Sequence, residues 1–206
     1  MPHAFFKEGF ENDWHALIKN VELLIYFEEE LLKKISRTGF FSGLSDLYRA
    51  TSREEALEIF GKIEVKAAKA LVVRCLGSRA LFSAEIRQKL RDKGFSDVTI
   101  SEVLLFCERI GAIDDMNLAR EKTERELRKG KGQISALIKI RRWIDVETVS
   151  LDFSKIKELE KEALAKYLQK KRIDLPSLDF EERRKLYGTL LRRGFKGESI
   201  QELLSF

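Results

Sequence analysis

The apolar positions of this chain follow a helical rhythm broken at regular points by glycine. Ile100, Val103 and Leu104 stand at i, i+3 and i+4, one apolar face of a helix, and Ile200, Leu203 and Leu204 repeat the spacing one hundred residues later. Just before each helix runs the same device, Leu90 with Gly94-Phe95 and Leu190 with Gly194-Phe195. A glycine just past a helix end takes a left-handed turn without a Cβ clash, and the following apolar residue folds back on the last turn of the helix. The spacing therefore predicts helix, glycine turn, helix in both places.

Caps and breaks extend the pattern. Helices are predicted over 61–77, from Ser83 as N-cap to Gly94, and over 97–110 with a stop at Gly111. Asp114-Asp115 opens the next one, which runs to about Arg128, where Gly130-Lys131-Gly132 breaks it. A short helix over 134–142 and another after Asp145 complete that cycle. The third cycle reads as helices over 154–171, over 179–193 and from 197 onward, with a loop "DLPSLD" between the first two. This makes three units of three helices: 61–110, 111–153 and 154–206. The middle unit is degenerate: Ile140 matches Leu90 and Ile144 matches Phe95, but one residue is missing and Trp143 stands in place of the glycine. Repeats of this size that stack on their neighbours predict an elongated, curved, all-α stack. Residues 1–60 read as a helical extension, with "LLKKISRTGFF" echoing the device through Ile35, Gly39 and Phe40.

Composition supports the helical reading. The 206 residues include two prolines, Pro2 and Pro176, and 35% are charged. No apolar run approaches the roughly 18 residues of a membrane span, and the start lacks a basic region followed by a long apolar one, so the cytoplasm is expected. Cys75 and Cys107 belong to no C-x-x-C and read as two reduced core thiols.

Charge changes the picture. The net charge of +5 conceals an acidic start, with 7 basic and 11 acidic side chains over 1–60 against 32 and 23 over 61–206. Two runs contain no acid. The first, 128–142, holds Arg128, Lys129, Lys131, Lys139, Arg141 and Arg142; the second, 183–196, holds Arg183, Arg184, Lys185, Arg192, Arg193 and Lys196. Either run alone reads as a solvated helix face. Two at corresponding places in a repeat point to an acidic or phosphate-bearing partner.

Catalytic chemistry finds no constellation. His3 and His15 have no Cys or His at metal-ligand spacing, and Gly130-Lys131-Gly132 lacks the rest of a phosphate-binding loop. Asp114-Asp115 reads as a helix start, and Trp14 and Trp143 read as core anchors rather than base-stacking platforms. No enzyme activity, cofactor or metal is expected.

The ordered segments "AKALVVRCLGSRALFSAEIRQKL", "KGF", "GAIDDMNLA", "GKGQISALIKIR" and "LLRRGF" together resemble the RecX family of recombination regulators over about 65–206. Ser83, Glu85 and Leu90 sit where that family has its first short helix. Gly111, Ile113, Asp114, Asp115, Leu118 and Ala119 resemble its Gly-x-Leu/Ile-Asp-Asp-x-x-Phe-Ala signature, with Leu118 in place of Phe, and Gly130 and Gly132 resemble its glycine-rich break. The middle repeat departs by lacking Lys-Gly-Ile, and residues 1–60 match nothing in the family. The resemblance implies curved stacks of three-helix repeats that bind the RecA–single-stranded DNA filament. They lie along its groove, lower its ATPase and strand-exchange activity, and so temper recombination and the DNA-damage response. A monomer is expected, with the two basic runs meeting the filament or its DNA. The alternatives are a basic helix-turn-helix protein acting directly on DNA, which the helix–glycine turn–helix outline allows, and a helical scaffold for other proteins.

Overall fold

In the computed structural model, described for residues 3–5, 14–19, 22–27, 30–36, 46–47, 50, 52–145 and 153–204, the chain forms two compact units, Met1–Ile113 and Asp114–Phe206. The first opens with an antiparallel sheet of four strands in the order β1 (His3–Phe5), β2 (Trp14–Lys19), β3 (Glu22–Phe27) and β4 (Glu30–Ser36). The register pairs Trp14 with Phe27 and Lys19 with Glu22 in one hairpin, and Phe27 with Glu30 and Leu23 with Ile35 in the next.

This sheet corrects the expected helical extension over 1–60. Leu, Glu and Lys are helix formers, but the runs "WHALIK" and "ELLIYF" are short, and they hold Trp, Ile, Tyr and Phe, residues that pack well on a pleated surface. Pairing with neighbours, which no local window reports, decides between the two states. Ile35 lies in β4, and Gly39 and Phe40 fall outside the described residues.

Three helices complete the first unit: α1 (Arg53–Ser78), α2 (Ser83–Asp92) and α3 (Asp97–Arg109). The first starts eight residues before the expected 61, because the Ser52 hydroxyl accepts from the Glu55 amide and caps it there. Phe82, not Ser83, caps α2, and the Glu85 carboxylate reaches back to accept from the Phe82 amide at 3.1 Å. Ala67, Ala68 and Val72 of α1 form one core with Ile86 and Leu90 of α2, Phe95, and Ile100, Val103, Leu104 and Cys107 of α3. Both cysteines are free thiols; Cys75 packs at the edge of that core, and burial pushes the Cys107 thiol up.

The second unit contains α4 (Asp115–Arg128), α5 (Gln133–Ile140), α6 (Phe153–Lys171), α7 (Phe180–Arg192) and α8 (Gly197–Leu204), with a 3-10 turn at Leu175–Ser177. Asp114 caps α4 through its carboxylate, which accepts from the Asn117 amide at 2.9 Å. The helix expected after Asp145 lies outside the described residues from 146 onward. The core of the third repeat mirrors that of the first: Leu186 for Ile86, then Leu190, Phe195, Ile200 and Leu204, with Ala163, Leu164 and Leu168 of α6 in the places of Ala67, Ala68 and Val72.

The glycine devices close as the spacing predicts. Gly94 has φ +84°; the Phe95 amide donates to the Leu90 carbonyl and the Gly94 amide to that of Arg91. Gly194 (φ +82°) repeats both bonds with Leu190 and Leu191. The ends of α3 and α4 use Gly111 and Gly130 in the same way, while α6 puts Arg172 there at φ +54°. In the degenerate middle repeat α5 closes without a left-handed residue: the Trp143 and Ile144 amides both donate to the Ile140 carbonyl.

Candidate functional site

The two basic runs separate, in three dimensions, into charges held by the fold and charges left on the surface. Four of the six cations of the first run meet carboxylates of α4. Arg128 pairs with Glu124 at 3.0 Å, and Lys129, Lys131 and Lys139 converge on Glu126, the first two at 3.1 and 2.8 Å. Lys131 above all, then Lys139, holds the Glu126 carboxyl down to about 2. The run is acid-free only along the chain. Arg141 and Arg142 remain on the surface beyond the end of α5, Arg142 with its guanidinium 4.7 Å from the centre of the half-buried Trp143 ring. Beside them Ile134 and Ile138 are exposed, and with Leu137 and Trp143 they line an open groove of about 730 Å³.

The second run divides similarly. Arg183 serves the fold: its guanidinium donates to the carbonyls of Leu175, Leu178 and Leu204, the last at the C-terminal end of α8. Arg193 lies 4.5 Å from the centre of the Tyr167 ring, and the Lys196 amide donates to Glu160. Arg184, Lys185 and Arg192 are exposed on α7. Lys185 meets Glu181 at 3.8 Å, and Arg192 donates to the Thr189 hydroxyl at 3.1 Å. Phe180, Arg184, Lys185, Gly188, Thr189 and Arg192 line a shallow depression of about 490 Å³ on this face.

Two buried glutamates tie helices together within their units, and nothing in the linear pattern marks them. Glu64 of α1 is 3% exposed and accepts from the Ser96 amide and hydroxyl and the Thr99 hydroxyl, which ties α1 to the start of α3; Lys33 of β4 lies 3.5 Å from it. Glu160 of α6 is 1% exposed and accepts from the Lys196 amide and Ser199 hydroxyl at the start of α8, and also from the Gln133 amide at the start of α5. A carboxylate at two helix N-termini satisfies amides that lack intrahelical partners and faces the positive ends of both dipoles. The middle and third repeats touch there backbone to backbone: the Gly132 amide donates to the Arg193 carbonyl at 3.3 Å and the Ile134 amide to that of Gly194 at 2.8 Å. A Cβ on Gly132 would lie 2.1 Å from the Gly194 carbonyl carbon, so the close approach requires glycine.

The residues Leu90, Gly94, Phe95, Gly111, Asp114, Leu190, Gly194 and Phe195 are thus turn, cap and core positions, and Asp115 lies in the first turn of α4. Among the described residues no cluster of three or more His, Cys, Asp or Glu side chains could hold a metal, and no helix is long and apolar enough to cross a membrane.

Three-helix repeats closed by glycine turns, with cations on the surface, define a helical-repeat protein. Residues 68–107 match the first three-helix domain of RecX and residues 158–204 match its third. A regulatory protein RecX of Prosthecochloris aestuarii is 33% identical over 132 residues, covering 63% of this chain and 85% of the relative. One of Mycolicibacterium smegmatis is 29% identical over 146 residues, 67% and 78% of the two chains. The chain belongs to the RecX family of regulatory proteins. The fold agrees with a crystal structure of a regulatory protein RecX across the whole chain (TM-score 0.59, 14% identity, 99% of that structure covered). It also agrees with RecX from Lactobacillus salivarius over 69% of this chain and 95% of that one (TM-score 0.57, 17% identity).

Proposed function

We propose that this protein binds the RecA–single-stranded DNA filament and lowers its ATPase and strand-exchange activity, tempering recombination and the DNA-damage response. Family membership supports the class of activity. The observation that carries the reading to a surface is the distribution of cations the fold does not consume: Arg141, Arg142, Arg184, Lys185 and Arg192 all face outward. The protein acts as a cytoplasmic monomer and needs no cofactor; its effect comes from binding. Lys129, Lys131 and Lys139 act through Glu126 to fix the α4–α5 break, and the Arg183 guanidinium through three backbone carbonyls, so these four shape the surface rather than meet the partner.

A helix-turn-helix reading would place α8, the helix after the Gly-Phe turn, in a DNA groove. That helix carries Glu198 and Glu202, and Glu202 already accepts Lys157 at 2.6 Å and Lys161 at 3.0 Å from α6. An acidic helix of this kind repels phosphates, which favours the filament reading. A pull-down of the full chain on RecA filament, on naked single-stranded DNA and on RecA without DNA tests the choice. Capture by the filament above either component alone is expected; equal capture by DNA and by filament would replace the reading with direct DNA binding.

A further inference from the structure

The four residues Phe180, Arg184, Gly188 and Arg192 stand at i, i+4, i+8 and i+12 of α7, one row that runs obliquely along the helix, turning about 40° at each step, and all four line the same depression. We propose that this row is a phosphate rail for a single strand of nucleic acid, in which Arg184 and Arg192 take two phosphates, Gly188 lets the strand approach the helix backbone, and Phe180 stacks a base. The inference rests on the filament reading and deepens it by naming which face meets the DNA component.

The first repeat supplies an internal control. Leu90, Gly94 and Phe95 of the first repeat match Leu190, Gly194 and Phe195 of the third, so α2 and α7 align at an offset of one hundred residues. At the places of Arg184, Gly188 and Arg192, α2 carries Ala84, Gln88 and Asp92, and the Gln88 amide donates to Asp92 at 2.7 Å. The three-helix fold therefore does not require cations on this line. A helix dipole accounts for Arg192 in the last turn, yet it gives nothing to Arg184, which sits in the second turn of α7.

The remaining chemistry selects the occupant. No ion pair to Arg184 or Arg192 is found among the described residues, and Glu181, the one acid lining the depression, faces Lys185. Arg184 and Arg192 are about 12 Å apart along the helix axis at 1.5 Å per residue. Each guanidinium can take a phosphate in two parallel hydrogen bonds. Gly188 has an open outer side: a Cβ there would meet only the Arg192 Nη1, at 3.6 Å. Glycine in a helix interior weakens the helix, so its presence between two cations is informative about what must come close. Phe180 is 71% exposed at one end of the line. An aromatic face at the end of a row of cations suits a strand whose bases are unstacked, as on single-strand binding surfaces, better than a duplex or an acidic protein segment.

Fluorescence anisotropy of a labelled oligothymidylate with the full chain tests the proposal. The double variant R184Q/R192Q is expected to lose about tenfold or more in affinity at low salt. It should also flatten the plot of log affinity against log salt by about 1.4, two contacts at 0.7 each. R87Q/K89Q removes the same charge from α2 and should leave both nearly unchanged. Gly188→Leu should raise the melting temperature, since leucine is the better helix former, while it weakens binding; loss of binding with gain of stability excludes unfolding as the cause. Affinity and slope that survive in R184Q/R192Q and Gly188→Leu overturn the proposal. So does a wild-type chain that ignores the oligonucleotide yet inhibits the filament through the same residues: the face would then meet acidic protein, and the filament reading would stand without the rail.

Discussion

Replacing Gly132 with alanine should damage the joint between the middle and third repeats far more than one methyl group suggests. Gly132 has φ −73° and ψ 159°, ordinary extended backbone, so alanine brings no torsional strain. The obstacle is space: the new Cβ would fall 2.1 Å from both the Gly194 carbonyl carbon and the Phe195 amide nitrogen, and backbone cannot swing aside as a side chain can. The start of α5 must retreat by more than 1 Å to reach ordinary contact. Retreat loosens three hydrogen bonds: Gly132 to Arg193, Ile134 to Gly194, and Gln133 to the buried Glu160 carboxylate. At about 0.5–1.5 kcal/mol for each neutral bond and 1.5–3 for the charged one, partial loss of the set amounts to about 2–4 kcal/mol. That corresponds to a fall in melting temperature of roughly 5–15 °C, read by circular dichroism at 222 nm. Gly61→Ala serves as the contrast. Gly61 lies inside α1 with nothing within 4 Å of the new Cβ, and alanine there should stabilise by about 0.5–1 kcal/mol. If Gly132→Ala melts like the unsubstituted protein, α5 and the α7–α8 turn are not in backbone contact, and the joint is wrong.

Three further outcomes follow from the turns and charges. Gly94 is left-handed at φ +84°, so Gly94→Val should cost about 1–3 kcal/mol and Gly94→Asn distinctly less, as thermal melts of the two would show. Arg172 holds the same conformation at φ +54° without being glycine; Arg172→Gly should raise stability by about 0.5–1 kcal/mol, and a fall in the melt would contradict the assignment of that turn. Glu126 titrates at about 2 in the folded chain, below an unfolded value near 4.5, so its ion pairs stabilise above the unfolded value and are lost as pH falls through the folded one. Its lysine partners are about half exposed, which limits the contribution to about 1–2 kcal/mol. Glu126→Gln should therefore melt lower at neutral pH, with the gap to the unsubstituted protein closing between about pH 4.5 and pH 2; a gap that persists unchanged at pH 2 would show that the loss is steric.

The parts of the fold that were legible in the sequence are those written in short spacings. Leu90, Gly94 and Phe95 lie within six residues, and every bond of their turn is local, so glycine and an apolar pair suffice to announce it. Asp114 caps α4 for the same reason. The sheet was illegible because "ELLIYF" suits helix or strand equally over so short a window, and the choice rests on its pairing with Trp14–Lys19 and Glu30–Ser36. The candidate site was half legible. Glu124 to Arg128 and Glu126 to Lys129 are i, i+4 and i, i+3 pairs that a helical reading could have removed from the free charge. Lys131 and Lys139 reach Glu126 only once α4 and α5 have folded against each other. Arg183 looks like its neighbour Arg184 in the sequence, and one position of rotation on the helix turns it inward to three carbonyls. Glu64 and Glu160 look like two more surface acids; their burial is visible only with the helix starts they cap.

The steady-state rate of ATP hydrolysis by RecA on single-stranded DNA, titrated with the full chain, tests the central claim most directly. The rate should fall at sub-stoichiometric amounts of protein. R184Q/R192Q should shift the titration to higher protein concentrations while R87Q/K89Q does not. A hydrolysis rate unchanged at equimolar protein would rule out filament inhibition by this chain.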